Sequence, residues 1–180
     1  LGQHFLADET IVRRIVAVAA LPPDATVVEI GPGEGVLTRA LTAAVPDGQL
    51  LAIEVDGTLA FQLRERVSKR VKVIHADAIR FDYTTVAGPY HLVSNLPYQI
   101  TSPILHELIG SDHPPLTMTL MMQREVAQRL AAPPKTRARG LLTMVVAWYG
   151  AVEQLFDVPP EAFNPPPKVW STVVRVVRTD

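Results

Sequence analysis

The chain contains no cysteine, so neither disulfides nor thiolate metal sites are available to it. It lacks any uninterrupted apolar run near the roughly 20 residues that a membrane-spanning helix needs, and it opens without a signal-like pattern. No membrane association and a cytoplasmic address are the resulting expectations. Charge is also sparse: 19% of residues are Asp, Glu, Lys or Arg against 48% hydrophobic, which leaves ample apolar material for one core in 180 residues. The five histidines, at positions 4, 75, 91, 106 and 113, show no metal-ligand spacing, so no metal is expected. No internal repeat or low-complexity tract is visible, and the proline clusters at 114–115, 133–134, 159–160 and 165–167 mark loops rather than a domain boundary.

Two hydrophobic periods alternate along the chain. Helical spacing predicts helices over residues 11–20, 34–45, 58–68, 103–109, 124–130 and 141–148, the first ended by Pro22-Pro23. Continuous apolar or β-branched runs predict seven strands, over 26–30, 50–54, 71–75, 91–95, 116–122, 152–158 and 171–178. The early strand-helix alternation implies parallel crossovers. Residues 159–169 hold too little helix for a crossover, so the last two strands are expected to pair antiparallel. The fold class read from this is α/β with a mixed seven-stranded sheet.

Chemistry gathers at the strand ends. The run Thr26-Val27-Val28-Glu29-Ile30 feeds directly into Gly31-Pro32-Gly33-Glu34-Gly35 and then into a helical pattern. Glycines there permit a tight turn and let a ligand approach the backbone without meeting a Cβ. The third glycine arrives one position too early for the dinucleotide fingerprint, and Glu34 would repel a pyrophosphate. Glu54 ends the second strand about 20 residues after the loop, where α/β nucleoside sites place a ribose-binding carboxylate. Asp77 follows the third strand as a candidate acceptor for an adenine amine. Either acid alone is equally readable as a solvated loop residue or a helix cap. Together with the loop they describe a nucleoside cofactor without a phosphate.

The fourth strand ends in Asn95-Leu96-Pro97-Tyr98. The Asn95 side-chain carbonyl and the Leu96 backbone carbonyl offer acceptors for the two protons of an exocyclic amine. Pro97 holds the preceding residue extended. Tyr98 supplies a face for stacking a base, worth roughly 1 to 3 kcal/mol. Read alone, the tetrapeptide is as easily a strand end followed by a turn.

These motifs resemble those of the S-adenosylmethionine-dependent rRNA adenine N6-dimethyltransferases, in particular the small-subunit branch of the KsgA type. The resemblance runs over essentially the whole chain, from Leu1-Gly2-Gln3-His4-Phe5-Leu6 through the glycine loop, Glu54-Val55-Asp56, Asp77-Ala78, Asn95 to Tyr98 and Ser102-Pro103. It continues through Met122-Gln123-Arg124-Glu125-Val126-Ala127 and Phe163-Asn164-Pro165-Pro166-Pro167-Lys168-Val169. It implies a Rossmann-like methyltransferase fold, S-adenosylmethionine as cofactor with S-adenosylhomocysteine as product, and small-subunit rRNA within a pre-small-subunit particle as partner. A monomer is expected. By the same resemblance Gln3, His4, Leu6, Glu29, Gly31, Gly33, Gly35, Glu54, Val55, Asp77, Ala78 and Asn95 hold the cofactor. Asn95, Leu96, Pro97, Tyr98 and Phe163 meet the reacting base, Phe163 closing the face opposite Tyr98. The chain departs from the family in His4, where asparagine is usual, and in Trp170, where an acidic residue is usual. Family members carry a further small helical domain after the last strand, so residues 1–180 are expected to be the catalytic domain.

Competing readings are a large-subunit rRNA adenine methyltransferase of the antibiotic-resistance type and a noncatalytic RNA-binding or transcription-associated relative. Ile100-Thr101-Ser102-Pro103 and Pro167-Lys168-Val169 favour the small-subunit branch, and intact cofactor and base motifs disfavour a noncatalytic role. The net charge of −1 conceals an asymmetry: residues 1–120 hold nine basic and thirteen acidic side chains, residues 121–180 eight and five. Arg124, Arg129, Lys135, Arg137 and Arg139 surround a proline-containing loop and, with Lys168, are the candidate RNA contacts. A second basic group, Arg64, Arg66, Lys69, Arg70 and Lys72, reads as structural, near a helix end.

Overall fold

A computed structural model describes residues 3–179. In chain order its elements are β1 (Phe5–Leu6), α1 (Glu9–Ala19), β2 (Thr26–Ile30), α2 (Val36–Ala44), β3 (Gln49–Glu54), α3 (Gly57–Arg66), β4 (Val71–His75) and β5 (Tyr90–Asn95). There follow α4 (Thr101–Gly110), β6 (Thr117–Gln123), α5 (Arg124–Leu130), α6 (Leu141–Tyr149), β7 (Gly150–Val158), β8 (Phe163–Asn164) and β9 (Ser171–Arg178). The chain is α/β, and its main sheet has seven strands in the order β4-β3-β2-β5-β6-β9-β7. Strands β2 to β6 run parallel, and β9 is antiparallel to both β6 and β7. The last two long strands therefore pair antiparallel, as their short connection requires.

Central strands covered on both faces read as continuous apolar runs because both pleat directions point into protein. Val27 and Val28 of β2, and Leu92 and Val93 of β5, have no exposed surface. On one face Val27 and Val93 join Ile15 of α1, Leu41 of α2 and Leu63 of α3. On the other, Val28 and Leu92 join Ile104 and Leu108 of α4 with Val146 of α6. The result is three layers, with helices on both faces of the sheet.

Several boundaries differ from the sequence reading. Helix α2 starts at Val36 rather than 34, because Gly35 is its N-cap at φ +86° and residues before it are still turning. Helix α4 starts two residues before Pro103, which is tolerated because first-turn N–H groups have no helical partner. Strand β7 begins at Gly150 directly after α6, two residues earlier than expected. Unanticipated altogether is the two-stranded pairing of β1 with β8, Phe5 opposite Asn164 and Leu6 opposite Phe163. Two-residue strands carry too little periodicity to be read from sequence.

Strand order reverses between β2 and β5, since β3 and β4 build outward from one side and β6 from the other. Such switch points open a crevice at the carboxyl ends of the strands. The ladder between β2 and β5 stops at the Val28 and Leu92 pair. Beyond it, Ser94 Oγ donates to the Ile30 carbonyl at 2.5 Å, so a side chain spans the gap where the backbones part.

Candidate active site

The glycine loop after β2 turns back along the strand ends. Gly31 (φ +65°) donates its N–H to the Ile53 carbonyl at 2.9 Å, and a Cβ on it would press against the Pro97 ring at 3.4 Å. Gly33 (φ +56°) donates to Glu54 Oε2 at 3.1 Å, and a Cβ there would lie 2.9 Å from the Phe5 ring. The loop is thus pinned to β3 while Pro97 and Phe5 close over it. Both glycines use the left-handed backbone, and at Gly33 the close approach of Phe5 also requires the missing side chain.

Glu54 is 3% exposed, and its second oxygen accepts from the Asp56 N–H at 3.0 Å. A carboxylate has about four lone-pair sites, so two backbone bonds orient Glu54 without exhausting it. Glu29 is buried as well, and Thr38 Oγ1 donates to its Oε2 at 2.6 Å. Burial drives the Glu29 pKa from 4.5 up to about 8; the Thr38 hydroxyl pulls it down, and the neighbouring Glu54 charge raises it further. At neutral pH Glu29 therefore largely keeps its proton. Asp77 is exposed and accepts from the Ile79 N–H at 2.9 Å, which shapes the turn after β4.

At the end of β5, Leu96 donates its N–H to the Met121 carbonyl at 3.1 Å, which fixes the direction of the next peptide. The Asn95 side chain has no hydrogen-bond partner among the described residues. Tyr98 lies in a single 3-10 turn, Tyr98–Ile100, and its hydroxyl shares a 2.7 Å hydrogen bond with Ser171 Oγ at the start of β9. Ser171 has no exposed surface. The tyrosine is therefore anchored by its tip, and both it and Asn95 line the same cavity. Ser171 escaped the sequence reading because it lies 73 residues from Tyr98 and nothing local marks it.

A cavity of about 820 Å³ unites these parts. Its lining includes Gln3, His4 and Leu6 from the N-terminal segment, Glu29, Gly31 and Gly33 from the loop, and Glu54 and Val55 after β3. Asp77, Ala78, Asn95, Leu96, Pro97, Tyr98 and Phe163 complete the expected set. Gly35 is the exception: a Cβ there would meet Leu63 at 2.5 Å, so this glycine serves the packing of α2 on α3 and does not line the cavity. Phe5, Ile79 and Gln99 line it without having been singled out, and so does Glu34, the loop acid expected to repel a pyrophosphate. His4 joins the site through Nδ1, 2.7 Å from the Pro165 carbonyl, and so ties the N-terminal segment to the 165–167 loop.

Four acidic side chains, Glu29, Glu34, Glu54 and Asp77, and no lysine or arginine line the cavity among the described residues. That donor set suits a cationic or neutral nucleoside and opposes a polyphosphate. The basic candidates lie elsewhere. Lys135, Arg137 and Lys168 are exposed, Arg129 pairs with Glu125 at 2.6 Å, and Arg124 stands 3.8 Å from Asp157. In the second basic group, Arg70 donates to the carbonyls of Thr42, Val45 and Pro46, capping the end of α2, and Arg64 donates to the Val73 carbonyl at 3.2 Å. Arg64 and Arg70 of that group are thus structural, though Arg70 caps α2 instead of serving the end of α3.

The family model described as "Ribosomal RNA adenine dimethylase" matches residues 1–180. The chain belongs to the ribosomal RNA adenine dimethylase family. Among curated relatives, a protein of Alcanivorax borkumensis named ribosomal RNA small subunit methyltransferase A is 41% identical over 183 residues, covering 99% of this chain and 65% of its own length. A dimethyladenosine transferase of Plasmodium falciparum superposes with a TM-score of 0.85 at 29% identity, over 98% of this chain and 64% of that one. The 23S rRNA methyltransferase ErmE superposes equally well, TM-score 0.85 at 32% identity, over 97% and 70%. The chain spans about two thirds of the length of the curated relatives it matches, 65% and 66% for the first two. Its fold is that of the S-adenosylmethionine-dependent methyltransferases within this dimethylase family. No helix among the described residues is long and apolar enough to cross a membrane.

Proposed function

We propose that residues 1–180 form the catalytic domain of an S-adenosylmethionine-dependent enzyme that dimethylates N6 of adjacent adenosines in small-subunit rRNA during ribosome assembly. One observation carries this reading: a single cavity at the sheet's switch point is lined both by the acids Glu29, Glu54 and Asp77 and by Asn95 to Tyr98. Substrate and compartment go together, so the site of action is the cytoplasm, on rRNA of a pre-small-subunit particle.

The residues fit the cofactor, because carboxylates without basic partners favour a cationic nucleoside. Glu54 would hold the ribose hydroxyls, Asp77 the adenine amine, and Val55 and Ala78 the adenine faces, with Glu29, Gly31 and Gly33 beside the amino-acid end. Bound there, the sulfonium supplies an electrophilic methyl group. The chain's own task is to prepare the nucleophile. An adenine N6 lone pair is delocalised into the ring, so a strong base helps less than two acceptors that draw the amino protons out of plane. The Asn95 and Leu96 carbonyls are those acceptors, and Pro97 fixes the direction of the Leu96 carbonyl. Tyr98 stacks on one face of the unpaired base and Phe163 closes the other. The main contribution of the protein is alignment.

The likeness to ErmE keeps large-subunit rRNA as a second reading. Tritiated S-adenosylmethionine offered with undermethylated small-subunit and large-subunit rRNA separates them. Label in the small-subunit RNA is expected; label confined to the large-subunit RNA selects the second reading, and none in either refutes both.

A further inference from the structure

Trp170 lies outside the cavity, and the reaction does not account for it. It stands just before β9 with 41% of its surface exposed. A single exposed aromatic is ordinary in itself, but this one is held in place. The Arg124 guanidinium carbon sits 5.3 Å from the ring centroid, and the Arg124 N–H donates to the Trp170 carbonyl at 3.0 Å. Arg124 is also 3.8 Å from Asp157, which accepts the Thr172 hydroxyl at 2.6 Å. The next residue is Ser171, whose buried hydroxyl is bonded to Tyr98. Trp170 and the residue that anchors the Tyr98 hydroxyl are thus consecutive in the chain at the start of β9. Lys168, two positions earlier, is exposed on the same short segment.

An aromatic face backed by a guanidinium, with a second exposed cation on the same segment, is a combination suited to binding single-stranded nucleic acid by stacking and charge. An acidic residue at this position, which the family resemblance leads one to expect, could neither stack nor attract a phosphate. We propose that Trp170, supported by Arg124, is a second stacking platform that holds an unpaired nucleobase of the RNA next to the target adenosine. This rests on the reading of the Asn95 to Tyr98 cavity as the adenosine site. It adds that substrate selection extends to a flanking nucleotide through Trp170.

The test uses indole fluorescence. The chain has two tryptophans, and Trp148 is 80% exposed, so Trp148→Phe leaves Trp170 as the only reporter with little cost to the fold. That protein, saturated with S-adenosylhomocysteine, is titrated with a short single-stranded RNA carrying one adenosine among uridines, with anisotropy of a labelled copy as an independent measure of binding. Trp170 emission should be quenched with the same midpoint as the anisotropy change, and abasic nucleotides flanking the adenosine should remove the quenching. Trp170→Asp should weaken RNA binding about tenfold while Trp170→Phe retains it within a few fold, and S-adenosylhomocysteine affinity should be unchanged in both. RNA bound with unaltered emission, or bound equally by Trp170→Asp, overturns the platform, while methylation of rRNA by the same protein leaves the proposed activity standing. No saturable RNA binding overturns the platform too, and only if methylation of rRNA also fails does the proposed activity fall with it.

Discussion

Glu29 is the side chain whose chemistry departs furthest from its ordinary state. Its pKa is raised in the folded chain, so unfolding releases a proton between pH 4.5 and about 8. Stability therefore falls across that window as pH rises, by up to about 1.4 kcal/mol per pH unit, and the protonated form is fully favourable only below it. Denaturant unfolding of wild type and Glu29→Gln at several pH values should show the difference between them growing through the window and level above it; a constant difference would rule out a raised pKa. Asn95 and Tyr98 make a second prediction. Asn95→Ala removes an acceptor for the target amine and should abolish most methyl transfer, with S-adenosylhomocysteine affinity kept within a few fold. Tyr98→Phe keeps the ring but strands the buried Ser171 hydroxyl, a loss of roughly 1 to 3 kcal/mol in stability. Single-turnover rates should fall in the order wild type, Tyr98→Phe, Tyr98→Ala, Asn95→Ala. Should Tyr98→Phe match Asn95→Ala, stacking no longer suffices and the hydroxyl enters the reaction. At this scale the acids, the glycines and the tetrapeptide were legible because each sits at the end of a readable strand. Ser171 and Ser94 were not, since their partners are remote in sequence and a serine carries no periodic signal.

Elements were most legible where one period runs uninterrupted. Strands β2, β4 and β9 and helix α5 begin and end where apolar spacing places them, whereas α2 is shortened by glycine geometry and β7 extends backward to the end of α6. The α1 and α3 starts are instead set by side-chain caps: Asp8 accepts from Thr10 and Ile11, and Asp56 from Thr58 and Leu59. The pairing of β1 with β8 is the main element that sequence patterns missed, and it matters because it lays Phe5 over Gly33. Gly33→Ala should therefore act on the site more than on the core. It combines a left-handed backbone with a Cβ 2.9 Å from the Phe5 ring, a strain of roughly 1 to 3 kcal/mol. Calorimetry should show S-adenosylhomocysteine binding weakened about tenfold or more, while Gly35→Ala, which faces Leu63, should lower thermal stability instead. Equal effects of the two on binding would contradict the division between cavity and packing glycines.

For the whole molecule, alternation of strands and helices predicted a mixed seven-stranded sheet, and the order β4-β3-β2-β5-β6-β9-β7 realises it. What alternation alone does not reveal is where the strands part. That depends on the β2 to β5 ladder ending at Val28 and Leu92, a feature of twist and pairing rather than of composition. The parting gives a cavity lined by acids of the first two thirds of the chain, where thirteen acidic side chains outnumber nine basic ones, while in the last third eight basic side chains outnumber five acidic ones. On the proposed reading, cofactor and RNA are met by different parts of one surface. The decisive measurement is nucleoside mass spectrometry of small-subunit rRNA lacking the modification, after incubation with the chain and S-adenosylmethionine. Wild type should yield N6,N6-dimethyladenosine and Asn95→Ala almost none; methyl groups on another base, or equal dimethyladenosine from both proteins, would contradict adenine N6 transfer at the Asn95 to Tyr98 site.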